Sequence, residues 1–141
     1  MSQRSPRIVL VEDSAADAEM MTLAIEKSGI AADIVVLPTG PQALAYLGDS
    51  KNACDLLLLD LNLPLITGFE VLEQVRSISR LKTLPIVIMS GSTNSEEIDR
   101  CYSLGANSYI AKPNHLEEIF ACGESLMRYW FGCVRLPTRA T

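Results

Sequence analysis

The chain has 141 residues, the size of one domain, and its 48% hydrophobic and 21% charged residues suit a packed core rather than intrinsic disorder. The formal net charge of −5 argues against a nucleic-acid binder, which usually carries a basic face, and no helix-turn-helix or zinc-finger pattern is present. No apolar run is long enough to span a bilayer, and the short stretch Ile8 to Val11 is too brief for a secretion signal, so the expected location is the cytoplasm.

Apolar runs and helix-like segments alternate along the chain. Arg7–Val11 is a nearly continuous apolar run, as expected of a strand buried on both faces in a parallel sheet. Ala16–Ser28 then places Ala16, Met20, Leu23, Ala24 and Ile25 at helical spacing and stops at Gly29. Asp33–Leu37 is a second strand candidate, polar at its start, and Pro41–Leu47 is a short helix with proline tolerated in its first turn. Asp55–Asp60 holds four consecutive leucines, Leu56 to Leu59, and predicts the most buried strand. Gly68–Ser77 repeats Phe69, Val71, Leu72 and Val75 at helical spacing. Pro85–Met89 is a further apolar strand. Ser95–Leu104 follows as a helix, with Glu96 and Glu97 suited to its N-terminus, though Ser95-x-x-Ile98 lacks the acid of a capping box. Ser108–Ile110 is a short last strand, and a final helix runs from near His115 to about Trp130. This fivefold alternation predicts an α/β sheet with helices on both faces. No linker or repeat interrupts it, so residues 1–141 are expected to be one domain with no output domain attached.

The four cysteines, Cys54, Cys101, Cys122 and Cys133, form no Cys-x-x-Cys pair, and His115 is the only histidine. A structural zinc site is therefore not expected, and the cysteines are expected to be reduced thiols, some of them in the core. The segment Tyr129-Trp130-Phe131 either caps the core or forms an apolar patch that marks an interface.

Ligands of open parallel sheets bind beyond the carboxyl ends of the strands. There the sequence puts Glu12 and Asp13 after the first strand, Asp60 after the third, Ser90-Gly91 after the fourth and Lys112-Pro113 after the fifth. With strand order 2-1-3-4-5 these groups would share one crevice. Three carboxylates that close together repel and call for a cation, and an oxygen-only ligand set suits Mg²⁺. Lys112 could neutralise Asp60 in the free state and bind a phosphoryl oxygen in a modified state. Ser90 offers a hydroxyl to another oxygen, Gly91 leaves room beside Asp60, and Asn62 could give its backbone carbonyl to the metal. Taken singly, each feature has a plainer structural reading. Glu12-Asp13 would be solvated loop acids, Asp60 a helix cap, and Lys112-Pro113 a turn before a helix. Ser90-Gly91-Ser92-Thr93 would be a polar loop and Tyr109 an ordinary half-buried strand aromatic. Their order at successive strand ends favours the functional reading.

Val11-Glu12-Asp13-Ser14, Leu59-Asp60-Leu61-Asn62-Leu63-Pro64, Gly68, Ser90-Gly91 and Lys112-Pro113 together resemble the signature of response-regulator receiver domains over roughly residues 6–130. The resemblance implies a flavodoxin-like (βα)5 doubly wound sheet of order 2-1-3-4-5. It also implies a two-component phosphorelay protein whose Asp60 accepts a phosphoryl group from a histidine kinase. Asp13 would hold Mg²⁺ directly and Glu12 mainly through water, and Lys112 would bind the phosphoryl group. The bond to Pro113 would be cis, and Ser90 and Tyr109 would form a switch acting on helix 4, strand 5 and helix 5. Ser90 stands where threonine is commoner, and Thr39 and Pro41 also depart from the usual pattern, away from the site. Val11-Glu12-Asp13-Ser14-x-x-Asp17, Asp60 to Pro64 and Tyr129-Trp130-x-x-x-Val134-Arg135-Leu136-Pro137 resemble the small single-domain regulators paired with bacterial phytochromes, which often form homodimers. A flavin mononucleotide protein of the same fold class is the first rival, but Glu12-Asp13 would repel phosphate where that protein needs a phosphate cradle. An aspartyl-phosphate phosphatase is the second, but it uses a second aspartate as general acid where this chain has Asn62. Slow self-dephosphorylation, not turnover, is therefore expected.

Overall fold

In a computed structural model, which describes residues 5–139, the four leucines of β3 (Leu56–Leu59) are all fully buried, because helices cover both faces of the strand. The other strands are β1 (Arg7–Val11), β2 (Asp33–Leu37), β4 (Ile86–Ser90) and β5 (Ser108–Ala111), and all pair in parallel in the order 2-1-3-4-5. The connecting helices are α1 (Ala15–Lys27), α2 (Gly40–Gly48), α3 (Gly68–Ser77), α4 (Ser95–Ser103) and α5 (Leu116–Arg128). Ser79–Leu81 adds a 3-10 turn, and Tyr129–Cys133 continues α5 as one π-helical turn.

The two-residue period of the strands divides the core in two. Val9, Val11, Leu57, Leu59, Ile86 and Ile88 point to the face covered by α2 and α3, where Val71, Leu72, Val75 and Cys101 complete the layer. Ile8, Leu10, Leu56, Leu58, Val87 and Met89 point to the face covered by α1 and α5, against Met21, Ala24, Ile25, Leu126 and Met127. Each fully buried leucine or isoleucine contributes about 1.5–3 kcal/mol relative to leaving it in water, so the three central strands carry most of the stability. β2 is an edge strand with Asp33 and Val36 exposed, which explains its weak signal in the sequence.

Side-chain caps set most helix starts. Ser14, Thr39 and Thr67 accept from the backbone N–H groups of Asp17, Gln42 and Glu70. Asn94, one residue before the position expected from the sequence, accepts from both Glu96 and Glu97 and caps α4. Gly29, the expected stop of α1, and Gly105, which follows α4, have φ of +77° and +105°. The last helix departs from expectation in that regular α5 ends at Arg128, and the chain widens through Tyr129–Cys133 before leaving the body. Trp130 and Phe131 there pack half-buried on the α1/α5 layer, while Tyr129 is exposed.

All four cysteines are free. Burial pushes the Cys54 thiol up to about 12 and the Cys101 thiol up to about 11, which keeps both protonated at neutral pH.

The end of the described chain returns to the opposite edge of the sheet from the acids. Arg139 donates to both oxygens of Asp55, at 2.9 Å to Oδ1 and 2.6 Å to Oδ2, and the backbone N–H of Arg7 donates to Asp55 Oδ2 at 2.7 Å. Burial raises the Asp55 pKa, but the Arg139 guanidinium and the Arg7 N–H outweigh it and hold the carboxyl below its usual range. A depressed folded pKa stabilises above the unfolded value of 3.8 and ceases to do so as pH falls through the lower folded value. Arg139→Ala should therefore lower the unfolding free energy by about 1–2 kcal/mol at neutral pH, as for a part-buried charge-assisted pair. The gap between the two proteins should shrink below pH 4 or so. Urea titrations of both at neutral and acid pH check this, and a gap independent of pH would contradict it.

Candidate functional site

The strand register brings the chemistry together. Val11 pairs with Leu59, Leu59 with Ile88 and Ser90 with Ala111, so the residues just beyond these strands emerge on one edge. Two bonds extend the ladder past its last residues: Asp60 N–H to the Val11 carbonyl at 3.1 Å, and Lys112 N–H to the Ser90 carbonyl at 2.7 Å. Asp60 and Lys112 are thus fixed by backbone rather than carried on free loops. Gly68 is fixed as tightly. Its N–H donates to the Leu61 carbonyl at 2.9 Å, and a Cβ there would lie 2.6 Å from Leu61 Cα and closer still to the Asp60 carbonyl oxygen.

Glu12 and Asp60 are buried, each 5% exposed, whereas Asp13 is exposed. One carboxylate oxygen from each of the three lies within 4.8 Å of the others. Lys112 Nζ reaches across the cluster, 2.5 Å from Glu12 Oε1, 3.1 Å from Asp60 Oδ2 and 3.2 Å from Asp17 Oδ2. Burial pushes the Glu12 carboxyl up to about 7; the bond from Lys112 opposes the shift, and the Asp60 carboxylate adds to it. Burial alone would lower the Lys112 pKa, but its bonds and attraction to Glu12 and Asp60 prevail and hold it above the ordinary lysine range. The ammonium is therefore charged at neutral pH, and one cation faces three acids. An all-oxygen cluster with two buried members and excess negative charge fits a hard divalent cation.

Asn62 N–H donates to Asp60 Oδ1 at 3.2 Å, which holds the backbone of residue 62 against the carboxylate. Gly91 lines the same cleft as Asp60 and Lys112, and a Cβ on it would meet no atom within 4 Å, so the room it leaves is open solvent. The cleft, of about 380 Å³, has Glu12, Asp17, Asp60 and Lys112 on its polar side and Met20, Met89 and Ile119 among its apolar walls.

Ser90 is fully buried, and its Oγ accepts from Ser92 N–H at 3.2 Å. Ser92 Oγ donates to Glu97 at 2.7 Å, and the Tyr109 hydroxyl donates to the Ser92 carbonyl at 2.7 Å. Tyr109 N–H in turn donates to the Tyr102 hydroxyl at 3.1 Å. Ser90, Tyr109 and the first turn of α4 are therefore joined through Ser92.

One expectation is corrected. Among the described residues no peptide bond is cis, so the bond between Lys112 and Pro113 is trans, in line with the trans preference of most X-Pro bonds. Two contributors were not singled out for the site from sequence, Asp17 and Ser92. The one sequence signal for Asp17 is its place in the first turn of α1, close after the acids that follow β1, which does not by itself show the contact with Lys112. Ser92 gave no signal beyond membership of a polar loop.

The model of the response regulator receiver domain matches residues 8–122. A probable methanogenesis regulatory protein, FilR2 of Methanothrix harundinacea, is 37% identical over 134 residues, 92% of this chain and 86% of its own length. The crystal structure of the phosphorylated cyanobacterial phytochrome response regulator RcpA has a TM-score of 0.89 at 36% identity, covering 96% of this chain and 100% of that one. The Mn(2+)-bound form of response regulator Rcp1 has a TM-score of 0.87 at 32% identity, covering 94% and 99% of the two chains. Matching strand order, the acid cluster with its lysine, and these likenesses agree: the chain belongs to the response regulator receiver domain family of two-component signalling.

Proposed function

We propose that Asp60 accepts a phosphoryl group from the phosphohistidine of a histidine kinase, with Mg²⁺ held by Glu12, Asp13, Asp60 and the backbone carbonyl of Asn62. The single observation that carries this is a buried carboxylate bonded to a charged lysine with two further acids in reach. An Asp60 carboxylate oxygen attacks phosphorus, the phosphorus–nitrogen bond breaks, and the imidazole leaves with its electron pair. Lys112 and the Ser90 hydroxyl bind phosphoryl oxygens, beside Gly91. The metal, when bound, would supply positive charge that offsets the acid cluster and the charge of the phosphoryl group. Movement of Ser90 toward the phosphoryl group pulls on Ser92 and Tyr109 and changes the surface of α4, β5 and α5, where a protein partner would read the state. Hydrolysis of the aspartyl phosphate is slow and the chain is not a turnover enzyme, since Asn62 stands where a general acid would be needed.

The likeness to RcpA supports a phytochrome-type kinase as donor, and membership of the receiver family supports a cytoplasmic location. No helix among the described residues is long and apolar enough to cross a membrane. Exposed Tyr129 on the π-helical turn supports a homodimer through α5 and the tail.

Radiolabel transfer from an autophosphorylated phytochrome-type kinase tests the proposal. The label should move to this chain with Mg²⁺ and stay on the kinase with a chelator. Transfer that is equal with the chelator would contradict the metal's role. Loading by acetyl phosphate but never by such a kinase would remove the phytochrome pairing. A Ser90→Ala variant should still load, but the Tyr109 ring signals in an NMR spectrum should no longer shift on loading.

A further inference from the structure

Lys112 has more acid partners than neutralising the phosphoacceptor requires. Besides the buried Glu12 and Asp60, its Nζ lies 3.2 Å from Asp17 Oδ2, reached from the first turn of α1 across the mouth of the cleft. Asp17 differs from the other two in setting. Its side chain is 53% exposed, against 5% for Glu12 and 6% for Asp60. No other side chain forms an ion pair with it among the described residues, and its place is fixed by the Ser14 cap, whose Oγ accepts from Asp17 N–H at 3.2 Å. A phosphoryl group on Asp60 presents its oxygens to the same ammonium, which has three N–H donors, all shared here among carboxylates.

We infer that Asp17 is a positioning residue that competes with the phosphoryl group for Lys112. In the free protein it anchors the ammonium toward α1. In the loaded protein that bond must stretch or break for Lys112 to turn to the phosphoryl oxygens, and the Asp17 charge repels those oxygens from the mouth of the cleft. Competition and repulsion have the same sign, so Asp17 biases the equilibrium toward the unloaded state. Its exposure makes the effect modest and sensitive to salt. The inference rests on the proposed phosphoacceptor role of Asp60.

Beryllofluoride, a non-covalent mimic of the phosphoryl group on a carboxylate, tests it by calorimetric titration of the full chain with saturating Mg²⁺. Asp17→Asn should bind beryllofluoride about two- to fivefold more tightly than wild type, the range that a half-exposed ion pair supports. Asp17→Glu, which keeps the charge and can still reach Lys112, should stay near wild type. Raising the salt should narrow the gap between wild type and Asp17→Asn. A purely structural role for Asp17 would lower the melting temperature of Asp17→Asn without tightening the mimic. Equal or weaker binding by Asp17→Asn, with wild type still binding and Asp60→Asn not, would overturn the inference and leave the phosphoacceptor role standing. Failure of wild type to bind beryllofluoride at all would overturn both.

Discussion

Lys112→Ala is expected to reduce phosphoryl loading of Asp60 about ten- to hundredfold, the equivalent of one lost hydrogen bond to a charged group. It should also lower stability in the absence of metal. The lysine is the only cation among the described side chains paired with Glu12, Asp17 and Asp60, and without it two buried carboxylates face each other. Breaking a fully buried pair costs about 3–5 kcal/mol. The Lys112 side chain is 23% exposed, and Glu12, already pushed up to about 7, can take up a proton, so about 1–3 kcal/mol is expected. Divalent cation should restore much of it, because the metal supplies the missing positive charge. Thermal melts of wild type and variant, each with and without Mg²⁺, read the stability, and loading by acetyl phosphate reads the chemistry. A variant as stable as wild type without metal, and loaded as fast, would contradict the central place given to Lys112.

Gly68→Ala is expected to destabilise the fold by about 1–3 kcal/mol and to impair loading at the same time. The added Cβ would run into backbone, the Asp60 carbonyl oxygen and Leu61 Cα, neither of which is the movable end of a side chain. The chain can relieve the clash only by moving the start of α3 away from the segment that carries Asp60, which breaks the bond from Gly68 N–H to the Leu61 carbonyl. Urea titration and loading kinetics should therefore fall together. The same substitution at Gly91, where a Cβ meets nothing within 4 Å, should cost stability far less.

The central architecture was legible because its strands are buried on both faces. Leu56–Leu59 and Ile86–Met89 are uninterrupted apolar runs between turns, and few other placements suit such segments in a chain of this size. The positions of Glu12, Asp13, Asp60, Ser90 and Lys112 followed, since a parallel sheet delivers whatever follows each strand to one edge. Legibility failed where three-dimensional contact overrode local pattern. Asn94 rather than Ser95 caps α4, a choice between adjacent residues both able to cap. The π-helical turn at Tyr129–Cys133 has no periodic signature, being an adjustment that seats Trp130 and Phe131 on the α1/α5 layer. The contact of Asp17 with Lys112 spans 95 residues of sequence and depends on how α1 lies against the sheet, which spacing alone does not reveal. The clasp between Arg139 and Asp55 spans 84 residues and has no local signature either.

The most direct test of the central claim is intact mass after incubation with acetyl phosphate and Mg²⁺, for wild type and Asp60→Asn. Wild type should gain one phosphoryl group, lose the gain when Mg²⁺ is removed beforehand, and show none in Asp60→Asn. A gain that survives Asp60→Asn would contradict the assignment of the buried carboxylate as acceptor.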